Sequence, residues 1–280
     1  MMHLLSEEGR EVLRAMVTRP LLYAFDFDGT LAPIASDRHA VKISPIVLEW
    51  LQELAVRAPC AVVSGRSLAD LAPRINGSVP HVIGNHGIEG PLSSAAVLSE
   101  AEQICAGWKR ALQTGLASVA ESLGAEIEDK RYSLTVHLRR AADPVKAGVK
   151  VLGLLRRLNP EPQLLTGKYS INALPPGRSG KGAAAYALMT HLRREGLFYI
   201  GDEETDETVF TLPPEIVIGV RVGRHAESRA RFYLHHQGEV EEVLRFLVHR
   251  MDRTPESGRS APVTRAGQPR STGGSEPVRG

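Results

Sequence analysis

Short apolar runs alternate with helical patterns along most of the chain. Leu21–Asp26 (LLYAFD) is apolar over a strand's length and carries an aromatic residue, which predicts a buried β-strand. Cys60–Val63 (CAVV), His81–Ile83, Leu197–Ile200 (LFYI) and Ile216–Val220 (IVIGV) follow the same pattern. Between the first two, Ser44 is a good N-cap and Pro45 suits the first helical position. Val47, Leu48, Leu51, Leu54 and Ala55 then recur at helical spacing. Ser67 opens another helix, with Asp70 three residues on in the manner of a capping box. Buried strands separated by helices predict an α/β fold, a Rossmann-like parallel sheet with helices on both faces.

The middle of the chain departs from this alternation. Residues 97–123 carry a long helical pattern. Ala125–Glu128 and Ser133–Arg139 then alternate, with Leu134, Val136 and Leu138 on one face and Ser133, Thr135, His137 and Arg139 on the other. A helix from about Pro144 to Leu158 and strands at Gln163–Thr166 and Tyr169–Leu174 complete an α+β pattern with a one-sided sheet. The expectation is a core domain of residues 1–90 and 174–251, interrupted by an inserted α+β cap of residues 91–173. Residues 252–280, rich in Gly, Pro, Ser and Thr with four apolar residues, are expected to be a disordered tail.

Composition narrows the function classes. The 280 residues are 42% hydrophobic and 24% charged, enough for a packed core. The net charge of +2 comes entirely from the tail, where five Arg face Asp252, Glu256 and Glu276. The body is formally neutral, so sequence-independent nucleic-acid binding is not expected. No apolar run approaches the roughly 20 residues of a membrane span. The segment MMHLLSEEGRE turns acidic within six residues and has no signal-peptide apolar core. Two cysteines, Cys60 and Cys105, cannot make a disulfide framework and read as buried thiols. A cytoplasmic location is expected.

Four segments carry candidate chemistry. Asp26 and Asp28, in DFDGTL at the end of the first strand, are two apart and project to one side, where ligands of open α/β sheets bind. Like charges about 4 Å apart cost about 4 kcal/mol at an effective dielectric near 20, so a cation between them is implied. Carboxylate oxygens at an open site suit Mg²⁺. Ser64-Gly65-Arg66 ends the second strand with a hydroxyl and free amides ahead of a helix, an anion site. Gly177-Arg178-Ser179-Gly180-Lys181-Gly182 fails the P-loop spacing but sets Lys181 at a helix start, in a helix running to about Glu195. GDEETDE (201–207) follows a strand with five acids in six positions, which again favours an oxygen-ligated cation. His86 and Glu89, in GNHGIEG, are either a turn histidine with a solvated acid or site residues near the hinge into the cap. His235 and His236 have no ligand-spaced partner and are expected at the surface.

In their order along alternating strands, DFDGTL, SGR, the helix-start lysine and GDEETDE resemble the four motifs of the haloacid dehalogenase-like phosphotransferases. DFDGTLAP with Pro33, GNHGIEG, EDKRYSLTVHLR (128–139) and GDEETDE are together similar to the trehalose-6-phosphate phosphatases. The resemblance implies a Mg²⁺-dependent phosphomonoesterase acting on a small phosphorylated sugar. Asp26 would be the nucleophile, Asp28 the acid and base, and Lys181 a catalytic partner. Asp26, Asp28 and Asp202 would hold the metal, with Asp206 orienting from behind. Ser64, Gly65 and Arg66 would bind phosphate. Lys130, Ser133, His137, Arg139 and Asn172 would bind the sugar. The family pattern Glu-x-Arg-Pro is replaced here by Asn172-Ala173-Leu174-Pro175, and the usual His-Tyr-Arg of the cap reads His137-Leu138-Arg139. Trehalose 6-phosphate is therefore expected with weakened discrimination. Another sugar phosphate, a non-catalytic phosphosugar-binding module and phosphotransfer to a second sugar remain open.

Overall fold

The computed structural model describes residues 1–35, 37–115, 123–167, 169–177 and 180–253. The expected disordered tail lies outside the described residues from position 254 on, as do Arg178 and Ser179 of the lysine loop.

Seven strands form one parallel sheet in the order β1-β11-β10-β9-β2-β3-β4. They are β1 (Met2–His3), β2 (Leu21–Phe25), β3 (Cys60–Val63), β4 (His81–Ile83), β9 (Gly196–Gly201), β10 (Val217–Val222) and β11 (Phe232–Leu234). The two-residue period of the central strands divides their side chains between two cores. Leu21, Tyr23, Phe25, Cys60, Val62, Phe198 and Ile200 pack on one face. Leu22, Ala24, Ala61, Val63, Leu197 and Tyr199 pack on the other. Helices α1 (Glu7–Met16), α2 (Pro45–Arg57) and α3 (Leu68–Ile75) are capped by Ser6, Ser44 and Ser67. Residues of α1, α2, α3 and the C-terminal helix join the first core, while those of the helix from Gly180 to His191 join the second. Strands β1 and β11 and helix α1 went unread in the sequence. The two strands span two and three residues.

The second sheet is antiparallel, in the order β5-β6-β8-β7. It comprises β5 (Glu126–Asp129), β6 (Leu134–His137), β7 (Gln163–Gly167) and β8 (Ser170–Leu174). Leu134, Val136, Leu138, Ile171 and Ala173 form its core with Trp108 of α4 (Ala95–Gly115) and with Val151 and Leu155 of α5 (Pro144–Leu155). This core is separate from the two cores of the parallel sheet. The opposite face of β6 is not solvated: Ser133 and Thr135 are buried against the parallel-sheet layer. The remaining helices are α6 (Gly180–His191), α7 (Glu207–Phe210) and α8 (Glu239–Asp252). No described helix is long and apolar enough to cross a membrane. Both thiols are free and buried, and burial pushes Cys105 up to about 12.

Leu134 is fully buried beside Trp108 in the second sheet's core. Leu134→Ala is expected to cost about 2–5 kcal/mol. In a Trp50→Phe background, the denaturant transition followed by Trp108 fluorescence should shift to lower urea by that amount. An unshifted transition would mean this core is not packed as described.

Candidate active site

The ends of β2 and β9 bring four acids and one ammonium into a single buried cluster. The Asp26 amide donates to Ile200 O across the sheet, which fixes Asp26 at the strand end. Lys181 sits one residue inside α6, fully buried, and its Nζ donates to Asp26 Oδ1 at 2.7 Å and Asp206 Oδ1 at 2.9 Å. Tyr199 Oη donates to the same Asp206 oxygen at 2.7 Å. Asp206 Oδ2 accepts the amides of Asp202 and Glu203, each at 2.9 Å, so Asp206 ties the GDEETDE loop to the lysine. Gly29 is required here: its φ is +78°, and a Cβ would lie 2.1 Å from Asp202 Oδ2.

The charges do not balance. Asp26, Asp202, Glu203 and Asp206 surround Lys181. Burial, then the neighbouring carboxylates, raises Asp26 well above the ordinary carboxylate range despite Lys181. The same causes push Asp202 up to about 8. Asp26 Oδ2 and Asp202 Oδ1 are buried with no hydrogen-bond partner. Ligand oxygens of Asp26, Asp202 and Asp206 lie within 4.8 Å of one another. Orphaned, converging carboxylate oxygens with excess negative charge fit a hard dication such as Mg²⁺.

Asp28 stands apart from this cluster. Its carboxylate is gripped by Arg66 through two bonds of 2.7 Å, from Nε and Nη2. Arg66 also donates to Asp70 Oδ2 at 2.5 Å and to Arg38 O at 2.9 Å. The Arg66 guanidinium, expected at the phosphate, is thus committed to Asp28 and Asp70, and its amide donates to Ser64 Oγ at 3.2 Å. Ser64 is buried at the end of β3, and Gly65 O accepts Lys130 Nζ at 2.9 Å from the cap side.

The expected sugar-binding residues divide into two groups. Lys130 and Asn172 come to the site, along with buried Thr135, whose hydroxyl donates to Asn172 Oδ1 at 2.7 Å. Ser133 Oγ instead donates to Asn85 Oδ1 at 2.5 Å, where it joins the two layers. Asn85 in turn donates to Glu89 Oε2, which also accepts the Leu68 amide at the start of α3. Glu89 is therefore a buried helix cap, not a solvated acid. His137 and Arg139 face the rim: His137 Nε2 lies 2.7 Å from Glu128 Oε2, and Arg139 donates to Ala35 O at 3.1 Å.

His86 is the residue the sequence left undecided. It is buried in the left-handed region, at φ 55°, with its ring against Gly65. Neither ring nitrogen makes a hydrogen bond of good geometry, although the Asn172 side chain lies beside the ring. Burial, then the charges of Lys130 and Lys181, holds it well below the usual histidine range, so the ring is neutral. Glu203 was not singled out either; it packs near Gly167 of the β7–β8 hairpin. Both sit where the layers meet: Glu203 near Gly167, and His86 within reach of the Lys130 charge. His3 and Glu239 likewise meet His235, which the sequence left without a partner.

A trehalose-phosphatase family model matches residues 24–227. The chain belongs to the trehalose-phosphatase family. The trehalose-phosphate phosphatase of Mycobacterium tuberculosis (strain ATCC 25618 / H37Rv) is 31% identical over 257 residues, covering 86% of this chain and 64% of that protein. That of Mycobacterium marinum is 29% identical, covering 84% and 63%. The chain thus spans less than two thirds of the length of these curated relatives. Among solved structures, the C-terminal domain of Candida albicans trehalose-6-phosphate phosphatase superposes with a TM-score of 0.69 at 23% identity, over 86% of this chain and 97% of that one. Sucrose-phosphatase from Synechocystis superposes at 0.53 and 21% identity, over 82% and 98%. The structural likenesses carry the fold alone, a parallel sheet flanked by helices with a second, antiparallel sheet.

The rim of this trehalose-phosphatase-family site is pH-sensitive by construction. Glu128 bridges to Arg38 of the core at 3.3 Å. Although burial opposes it, the hydrogen bond to His137 and the charges of Lys130 and Arg38 hold Glu128 down to about 2, from an ordinary 4.5. A depressed folded value means the contribution is full above about pH 4.5 and is lost as pH falls toward 2. The stability difference between wild type and Glu128→Gln, measured by urea unfolding, should therefore shrink across that window. A difference constant from pH 6 to pH 2.5 would contradict the assignment.

Proposed function

We propose that this chain hydrolyses trehalose 6-phosphate to trehalose and phosphate, with Mg²⁺, through an aspartyl-phosphate on Asp26. The observation that carries the proposal is the buried Asp26–Lys181 pair, which fixes one carboxylate oxygen and leaves the other unpartnered at the strand end. Asp26, the Asp28 backbone carbonyl and Asp202 would hold the ion. When bound it would offset the carboxylate charge and draw in a phosphate dianion.

Asp26 Oδ2 attacks phosphorus, the ester P–O bond breaks, and the leaving sugar oxygen takes a proton from Asp28. Water then attacks the aspartyl-phosphate, Asp28 takes its proton, and phosphate leaves with the Asp26 carboxylate restored. Lys181, Ser64 Oγ and the Gly65 amide offset charge on the transferring group. Lys130, Asn172 and the rim residues His137 and Arg139 contact the sugar. Ser133 supports this wall by holding Asn85.

A second reading keeps the chemistry and changes the sugar. Asn172, where the family pattern has an acid, is already bonded to Thr135 and grips a hydroxyl without charge assistance. A panel of sugar phosphates assayed for phosphate release, with Mg²⁺ and with EDTA, decides between the two. Trehalose 6-phosphate should give the highest kcat/KM, and Asp26→Asn should lose several orders of magnitude while remaining folded. Efficient turnover of another glycosyl phosphate with none of trehalose 6-phosphate would favour the second reading. Full activity in EDTA would remove the cation from the account.

His86 adds a neutral donor to the pocket wall. A buried imidazole with incomplete hydrogen bonding costs about 1–3 kcal/mol, which a bound phosphosugar would recover. His86→Leu should lower kcat/KM by about tenfold to a hundredfold, and His86→Gln should restore part of the loss. Equal kinetics for wild type and both variants would assign His86 to packing alone.

A further inference from the structure

We propose that His3, His235 and Glu239 form a binding site for a borderline transition-metal dication such as Zn²⁺, distinct from the carboxylate cluster at Asp26. The three residues come from the end of β1, the turn after β11 and the first residue of α8. One ligand atom from each lies within 4.8 Å of the others.

The fold pre-orients the donors. Strand β1 pairs in parallel with β11, which places His3 beside Tyr233, and the His235 ring closes over His3 with centroids 4.3 Å apart. Glu239 Oε2 accepts the His235 amide at 2.7 Å and lies 3.1 Å from His3 Nε2. The carboxylate is thus already aimed at one imidazole and anchored to the backbone of the other. The hydrogen bond between His3 and Glu239 accounts for one ring. It leaves the His235 imidazole with ring contacts to His3 and Tyr233 and no hydrogen bond among the described residues. Tetrahedral zinc has donors about 3.4 Å apart, so the existing spread closes with side-chain motion of about 1 Å.

Donor chemistry separates the two clusters. Two imidazoles and one carboxylate are the ligands of Zn²⁺, Co²⁺ or Ni²⁺, whereas the oxygen-only set at Asp26, Asp202 and Asp206 selects Mg²⁺. His235 is exposed, which leaves the fourth coordination position to water. Between His235 and Glu239, Gln237 Nε2 donates to Thr30 O at 3.1 Å and Leu31 O at 3.3 Å. Those carbonyls belong to the loop that carries Asp28. An ion joining His235 to Glu239 therefore stiffens the segment that braces this loop, and metal occupancy is coupled to the Asp28 turn.

The test uses the full chain with saturating Mg²⁺. Zn²⁺ titrated by calorimetry should bind with one equivalent assigned to this site. At about a hundredfold excess over Kd it should raise the melting temperature by roughly 5 °C or more. Co²⁺ should give the visible absorption of a tetrahedral nitrogen–oxygen site. Amide exchange at residues 27–31 should slow when Zn²⁺ is present. His235→Asn alters an exposed side chain and leaves the fold intact; it should weaken Zn²⁺ binding by about a hundredfold and abolish the cobalt band, as should His3→Gln. Asp202→Asn should leave both unchanged. Zinc binding and stabilisation that are the same in His235→Asn as in wild type, or that vanish in Asp202→Asn, would overturn the proposal, as would no binding equivalent beyond Mg²⁺.

Discussion

Lys181 donates to Asp26 and Asp206 in a space closed to water, and the architecture of the site follows from that contact. An ammonium and two carboxylates buried together are tolerated only when each is hydrogen-bonded, and removal of one partner typically costs about 3–5 kcal/mol. The fold meets the condition with separate elements. Strand β2 ends at Asp26 and β9 delivers Tyr199 and the acidic loop. Helix α6 starts one residue before the lysine, packed so closely that a Cβ on Gly182 would lie 2.1 Å from Thr208 O. The cluster still carries more acid than base. That excess, together with the orphan oxygens on Asp26 and Asp202, is what the proposed dication would offset.

The second layer is held to the first by polar contacts at two depths. Inside, Lys130 reaches Gly65 O, and Ser133, Asn85 and Glu89 form a buried chain that ends at the start of α3. At the rim, Arg38 meets Glu126 and Glu128, and Arg139 meets Ala35 O. Partly exposed ion pairs of the second kind are individually worth about 0–1 kcal/mol and are screened by salt. They can open for a substrate without loss of the layer's own core, which is built around Trp108 and Leu134. The arrangement suits a cap that closes on a polar ligand.

The part of the candidate site proposed for catalysis was legible in the sequence because its residues cluster locally at strand ends. DFDGT, SGR and GDEETDE each place their chemistry within a few positions of an apolar strand. The central strands themselves were legible because they are buried on both faces, as LLYAF and LFYI show. The wall proposed to contact the sugar was less legible. The polar face of β6 looked like one surface, yet burial sends Ser133 to Asn85 and Thr135 to Asn172 while His137 turns to Glu128. The Arg66–Asp28 grip spans 38 positions, and the His86 ring meets its neighbours across the layers. No spacing rule encodes such contacts. Strand β1, at two residues, falls below the length at which a pattern can be read.

The central claim is that Asp26 becomes covalently phosphorylated. Acyl phosphates are reduced by borohydride to the alcohol, so a trapped aspartyl-phosphate is read as homoserine. Enzyme turning over trehalose 6-phosphate with Mg²⁺ can be quenched into borohydride, digested and analysed by mass spectrometry over the peptide containing residues 21–31. The account predicts homoserine at position 26 alone, dependent on substrate and metal. Active enzyme that releases phosphate while Asp26 remains unmodified, or that carries the modification at another residue, would contradict it.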